Sequence, residues 1–269
     1  MSANPAAMST TRFAFGENWA RFLAHVDEAR IRGAQTALRD LLGGADLSGK
    51  VFLDIGSGSG LSSLAARRAG ARVISFDYDP QSVACTEELK RRYFPGDSSW
   101  IVMRGSALDT EYLRKLGPCD VVYSWGVLHH TGHMWQAIET AMSPVKPQGL
   151  FIIAIYNDQG WVSRYWYLVK RLYNRNAVLR AAMTALHAPY LVAARLAVRA
   201  LSRKGPLPRG MSPWHDMRDW LGGLPFETAR PDDIISFCKA RGFVLVRANL
   251  VGHRHGCNEF VFQRSAPAR

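Results

Sequence analysis

The sequence predicts a doubly wound α/β domain: a seven-stranded, mainly parallel sheet that ends in an antiparallel hairpin and carries a helical insertion after its fifth strand. Three observations lead there. From Lys50 onward, short β-branched apolar runs alternate with amphipathic stretches, as in a parallel sheet covered on both faces. The alternation stops after Tyr156 and resumes at Pro231. A glycine-rich turn closes the first run, at the edge where open α/β sheets hold their ligands.

In chain order, residues 1–49 read as a helical lead-in or lid, with Trp19, Phe22, Val26 and Ile31 near helical spacing. Strands follow at Val51–Ile55, Val73–Phe76, Trp100–Met103, Val121–Trp125 and Leu150–Ile155. Helices are expected between them at Leu61–Ala69, Gln81–Arg92, Tyr112–Leu116 and Met134–Val145. Right-handed crossovers then put helices on both faces. Residues 50–269 form one domain, interrupted at about 160–225 by helices Val162–Tyr173, Ala177–His187 and Tyr190–Ser202, the last two separated by Pro189. A Pro- and Gly-rich loop leads back to a helix at Pro231–Arg241 and to hairpin strands Phe243–Leu250 and Glu259–Gln263.

With 48% apolar and 21% charged residues, the 269-residue chain has a globular composition, which excludes disordered, collagen-like and coiled-coil classes. Cys85, Cys119, Cys238 and Cys257 stand far apart, against a zinc ribbon or disulfide framework and for a reducing compartment. The N-terminal residues show no basic stretch followed by an apolar one. No window holds the roughly 18 uncharged apolar residues of a spanning helix. The expectation is a cytoplasmic protein, peripheral on the inner membrane surface.

The net charge of +12 is localised. Between Gln159 and His215 there is no acid, and ten basic residues run from Arg164 to Arg209. Such a segment calls for an anionic partner. Basic helices with aromatic and aliphatic faces suit a membrane interface; an apolar lid over the core is the alternative. Nucleic acid fits less well, because no RNA-binding module is appended.

The sharpest motif is Val51 to Gly60, V-F-L-D-I-G-S-G-S-G. It is no P-loop, since no G-K-[ST] follows, and Leu61 breaks the dinucleotide fingerprint. Asp54-Ile55-Gly56-Ser57-Gly58-Ser59-Gly60 resembles motif I of class I S-adenosylmethionine-dependent methyltransferases, [D/E]-x-G-x-G-x-G, at every fixed position. Asp54 can meet the cationic amino-acid end of that cofactor. Asp77, ending the second strand, can accept from both ribose hydroxyls, although an acid there also suits NAD. The resemblance puts Tyr78 against the adenine. Arg104 to Asp109 resembles the family's adenine-binding turn, with Ser106 in the place of the usual acid, Ala107 beside it and Asp109 as a substitute. Cys119 to His130 resembles motif IV of small-molecule methyltransferases and adds Ser124 and Trp125 to the cofactor set, with Trp19 from the lead-in.

The resemblance spans about residues 50–156 and is to ubiquinone and menaquinone methylase-like (type 11/12) enzymes. It implies a Rossmann-like fold, S-adenosylmethionine as cofactor and a small apolar or lipid-linked hydroxyl acceptor. An RNA methyltransferase, or a cofactor-binding protein without transferase activity, is the alternative. No N-P-P-[YF] tetrapeptide and no cysteine close the fourth strand, so base-modifying chemistry is disfavoured. His129 and His130, just after it, are candidate general bases, with His129 preferred. His215, followed by Asp216, is the third candidate. The donors in H-H-x-x-H at 129–133 and H-R-H-G-C at 253–257 could hold a metal, but no acid accompanies the first group and no metal is assigned.

Overall fold

The computed structural model describes residues 26–202, 220–252 and 256–266, with Leu23 and Met217. Trp19, Phe22, Trp214, His215, Asp216, His253 and His255 lie outside the described residues. The strands are β1 (Val51–Ile55), β2 (Arg72–Asp77), β3 (Trp100–Arg104), β4 (Cys119–Trp125), β5 (Val145–Tyr156), β6 (Phe243–Asn249) and β7 (Cys257–Arg264). They form one seven-stranded sheet in the order β3-β2-β1-β4-β5-β7-β6. The first five strands are parallel, and β7 runs antiparallel to both β5 and β6. The doubly wound fold and its terminal hairpin are as the sequence predicts.

The helices are α1 (Glu28–Leu41), α2 (Leu61–Arg68), α3 (Pro80–Tyr93), α4 (Thr110–Lys115), α5 (Met134–Met142), α6 (Trp161–Arg175), α7 (Ala177–Ser202) and α8 (Pro231–Lys239). Because successive strand residues face opposite sides, the central strands feed two cores. Leu53, Val122 and Ile153 pack with Leu113, Ile138 and Ile234 on one face. Phe52, Val121 and Ile152 pack with Ile31, Leu64 and Leu89 on the other. The second core includes α1, which Glu28 also ties to α2 through a two-pronged bridge to Arg68.

The insertion has its own core. Trp166, Val169 and Tyr173 of α6 pack with Met217, Leu221 and Phe226, and with Met183 and Leu191 of α7. Here the structure differs from the sequence expectation: α7 continues through Pro189 instead of breaking into two helices. Proline costs about 3 kcal/mol inside a helix. Residues on both sides of it, Met183, Ala188, Leu191 and Val192, pack onto the same core and hold the helix whole. β5 also starts earlier than Leu150. Val145 already pairs with Cys119, and the chain bulges through Gln148 (φ 60°) before Leu150 meets Val121.

Candidate active site

β1 ends at Ile55, and the chain turns through Gly56, Gly58 and Gly60 at φ 76°, 55° and 79°. Glycine enters that left-handed region without steric cost. At Gly56 space is a second constraint, because a Cβ would come within 2.4 Å of the Val127 side chain. The Gly56 and Ser57 amides donate to the Phe76 carbonyl at 2.8 and 3.0 Å, drawing the loop over the end of β2.

There the Gly58 amide donates to Asp77 Oδ2 at 3.0 Å, and the Asp79 amide to Oδ1 at 2.9 Å. The hydroxyls of Ser57 and Thr86 lie 2.9 Å apart. Tyr78, the next residue, keeps 48% of its surface exposed, with the Arg104 guanidinium 5.7 Å above its ring. β1 is flanked by β2 and β4, so this loop lies where the strand order reverses, the position at which doubly wound sheets open a crevice.

Ser106 and Ala107 follow β3 at the same edge, and the Ser106 hydroxyl accepts from the Leu108 amide at 3.2 Å. Asp109 caps α4 by accepting from the Tyr112 amide at 2.9 Å, so its carboxylate serves the helix. Asp54 is buried, and its carboxylate turns into the protein toward the Ser63 hydroxyl at 2.5 Å. Burial, opposed by that hydrogen bond, pushes its pKa up to about 7. Ser124 is buried and donates to the Ile55 carbonyl at 3.0 Å, while the Trp125 indole donates to Glu259 at 2.8 Å. Both side chains face the sheet through these bonds.

After β4 a short 3-10 turn, Leu128–His130, carries the two histidines. The segment Pro225–Ala229 straps this turn. The Glu227 amide donates to the His129 carbonyl at 3.0 Å, and the Glu227 carboxylate accepts from the Met134 amide at the start of α5. His130 Nδ1 lies 2.6 Å from the Pro225 carbonyl. A carbonyl only accepts, so Nδ1 carries the proton and the lone pair of the neutral ring is on Nε2.

His129 is fully buried, and neither ring nitrogen has a hydrogen-bond partner. Burial first, then neighbouring His130 and Lys170, hold its pKa well below the ordinary value, so it stays neutral. Its ring lies on Tyr156 at 4.0 Å and beside His130 at 4.5 Å. Next to it, the fully buried Lys170 of α6 donates to the Trp220 carbonyl and stands 4.6 and 4.7 Å from the Trp220 and Phe226 ring centres.

The structure thus brings Asp54, Gly56–Gly60, Asp77, Tyr78, Ser106 and Ala107 to one sheet edge, and joins His129 and His130 to it through Val127. Sequence reasoning missed Val127, Tyr156, Lys170 and Glu227. Of these, Lys170 carried a signal: it shares the helical face of Trp166, Val169 and Tyr173, a spacing that buries it. Among the described residues, no group of three or more His, Cys, Asp or Glu side chains stands together as a metal would require.

A cofactor made of a sulfonium amino acid, a ribose and a flat base needs approachable backbone, a carboxylate and an aromatic surface. The glycine loop, Asp77 and the half-exposed Tyr78 stand in that order along the edge. The model of a methyltransferase domain family matches residues 26–247. The chain belongs to that methyltransferase family. It is of the class I, S-adenosylmethionine-dependent kind.

Among curated relatives, this chain is 32% identical to a ubiquinone biosynthesis O-methyltransferase of Methylobacterium sp. (strain 4-46) over 125 residues, 44% of this chain and 46% of that protein. It is 48% identical to a ribosomal protein L11 methyltransferase of Alteromonas mediterranea over 52 residues, 19% of this chain and 18% of that protein. The matched segments therefore span less than half of these relatives. Among solved structures, the magnesium protoporphyrin IX methyltransferase of Synechocystis PCC 6803, solved with S-adenosylhomocysteine bound, superposes with a TM-score of 0.56 at 16% identity, covering 93% of this chain and 94% of that one. An O-methyltransferase family protein of Burkholderia thailandensis gives 0.57 at 15% identity, covering 95% and 65%. These likenesses show a shared fold.

Proposed function

We propose that this protein transfers a methyl group from S-adenosylmethionine to the hydroxyl of a small, apolar, ring-bearing acceptor of quinol or phenol type, presented in lipid-linked form. The Gly56, Ser57, Gly58 and Gly60 backbone would receive the amino-acid end, Asp77 the ribose hydroxyls and Tyr78 the adenine face. Ser106 and Ala107 would border the adenine edge, and Ser124 and Trp125 supply the floor through backbone. Asp54 acts from behind, holding the start of α2 through Ser63. When bound, the cofactor supplies an electrophilic methyl on a sulfonium.

The observation that carries the hydroxyl reading is the fixed tautomer of His130. Pro225 accepts from Nδ1–H, so Nε2 is the basic nitrogen of the neutral ring and the atom that would take a proton from an acceptor hydroxyl. His129, neutral and buried behind it, adds no competing charge and packs the ring in place with Tyr156. Tyr156, Trp220 and Phe226 form the aromatic wall beside this base, which suits a flat acceptor ring. The likeness to a ubiquinone biosynthesis O-methyltransferase supports the same class.

The test is His130→Asn, assayed with a short-chain hydroxyquinol as acceptor. A positioned base contributes about 10²–10⁴-fold, so kcat should fall by that much while S-adenosylhomocysteine binds as before. Full turnover by the variant would remove His130 as the base.

A further inference from the structure

The insertion has a second face that its own core does not use. On α6, Trp161, Arg164, Leu168, Arg171 and Arg175 turn away from Trp166, Val169 and Tyr173, with Tyr165 and Tyr167 flanking them, all exposed. A solvent-facing helix surface ordinarily carries mixed polar and charged side chains. This one holds aromatics, an aliphatic residue and arginines only. Trp161 is 78% exposed and Leu168 54%.

The neighbouring helix α7 repeats the pattern. Val178, Leu186 and Tyr190 are exposed, at 78%, 67% and 58%, with Ala182, Ala185 and Pro189 between them. The helices are fastened side by side. His187 Nδ1 faces the Met183 carbonyl at 2.8 Å, so Nε2 accepts from the Tyr165 hydroxyl at 2.7 Å. Arg171 and Arg180 lie over the rings of Tyr167 and Tyr173 at 5.8 and 5.7 Å.

We propose that the outer faces of α6 and α7 form a docking surface for an anionic lipid bilayer. Charge decides the occupant. The segment from 160 to 214 holds no acid and, besides the buried Lys170, nine basic residues, of which Arg164, Arg171, Arg175 and Arg180 are exposed on these two helices, so an apolar strip fringed by arginines meets acyl chains and anionic headgroups together. A second copy of the chain would bring like charge against like charge. A nucleic acid would stack on aromatic rings, and the Val178–Leu186 strip offers it aliphatic surface. No described helix is long and apolar enough to cross a membrane, so these helices lie in the interface.

The surface also adjoins the sheet edge that holds the candidate site. Trp161 lines a cleft of about 570 Å³ with Asn157, Val162 and Leu250, at the ends of β5 and β6. A lipid-linked acceptor leaving the bilayer would meet this cleft first. That last link rests on the methyl-transfer reading; the docking surface stands without it.

The experiment is co-sedimentation of the full chain with phosphatidylglycerol-containing and with phosphatidylcholine-only vesicles. It is run for the native protein and for the Leu168→Glu/Leu186→Glu double variant. Both positions are exposed, so the fold is spared, and thermal melting together with S-adenosylhomocysteine calorimetry verifies that. The native protein should pellet with the anionic vesicles and much less with neutral ones. The double variant should partition at least about tenfold more weakly, since each leucine withdrawn from the interface forfeits most of its transfer free energy. Equal partitioning of the two proteins, or no binding of the native protein to anionic vesicles, overturns the proposal. So does a native dimer in sedimentation velocity that the double variant dissociates, or RNA binding that falls log-linearly with salt in a protein that vesicles do not hold. Vesicle binding by a protein that fails to bind S-adenosylhomocysteine leaves the docking surface standing and removes the methyl-transfer reading.

Discussion

Asp54 sits behind the glycine loop with its carboxylate against Ser63, out of contact with water. Its pKa is raised to about 7 by burial, with Asp77 adding to the effect. A raised carboxyl binds its proton more tightly in the folded state than in the unfolded chain. Folding stability from this group is therefore intact below about pH 4 and is lost as pH rises toward 7. The full loss is roughly 4 kcal/mol at 1.36 kcal/mol per pH unit. Asp54→Asn should accordingly gain stability relative to the native protein at pH 8 and little at pH 4.5, measured by urea unfolding. An equal difference at both pH values would show that the carboxyl is not held protonated. His129 has the opposite sign: its depressed pKa withdraws stability as pH falls below the ordinary histidine value.

At this scale the sequence made the glycine loop, Asp77 and the histidine pair legible, because each stands at a fixed offset from a strand end. It favoured His129 over His130 as the base, whereas the proposed base is His130, because His129 is fully buried and held neutral. That distinction comes from Pro225, ninety-five residues further along the chain, and no local pattern announces which carbonyl a ring nitrogen will meet. Asp109 was open to an adenine role in the sequence and serves as a helix cap in the structure.

The elements divide in the same way. Central strands β1 and β4 were readable as continuous apolar runs because both of their faces are buried. The early start of β5 was not, since its first pairing depends on Cys119 and a bulge around Gln148. Helix α7 is the clearest case of packing overriding propensity. Pro189 removes one backbone donor, which the local rule reads as an end. Because Pro189 itself is exposed while its neighbours hold the helix, Pro189→Ala should stabilise the protein by about 1–3 kcal/mol. Urea unfolding measures this, and a loss of stability would mean that the proline shapes the packing of the insertion.

For the whole molecule, one sheet edge carries the functional architecture. The strand-order reversal between β2 and β4 sets the glycine loop and Asp77 at this edge, and Tyr156, at the end of β5, packs there against Trp220 and Phe226. The central claim is that the crevice at this edge holds S-adenosylmethionine with its ribose on Asp77. The most direct measurement is calorimetry of S-adenosylhomocysteine binding to the native protein and to Asp77→Ala, with NAD as the competing ligand. Hydrogen bonds to a charged group are worth about 1.5–3 kcal/mol, so the variant should bind roughly 10–150-fold more weakly, and NAD should not bind either protein. Unchanged affinity in Asp77→Ala would contradict the ribose assignment, and tight binding of NAD in place of S-adenosylhomocysteine would contradict the assignment of the crevice itself.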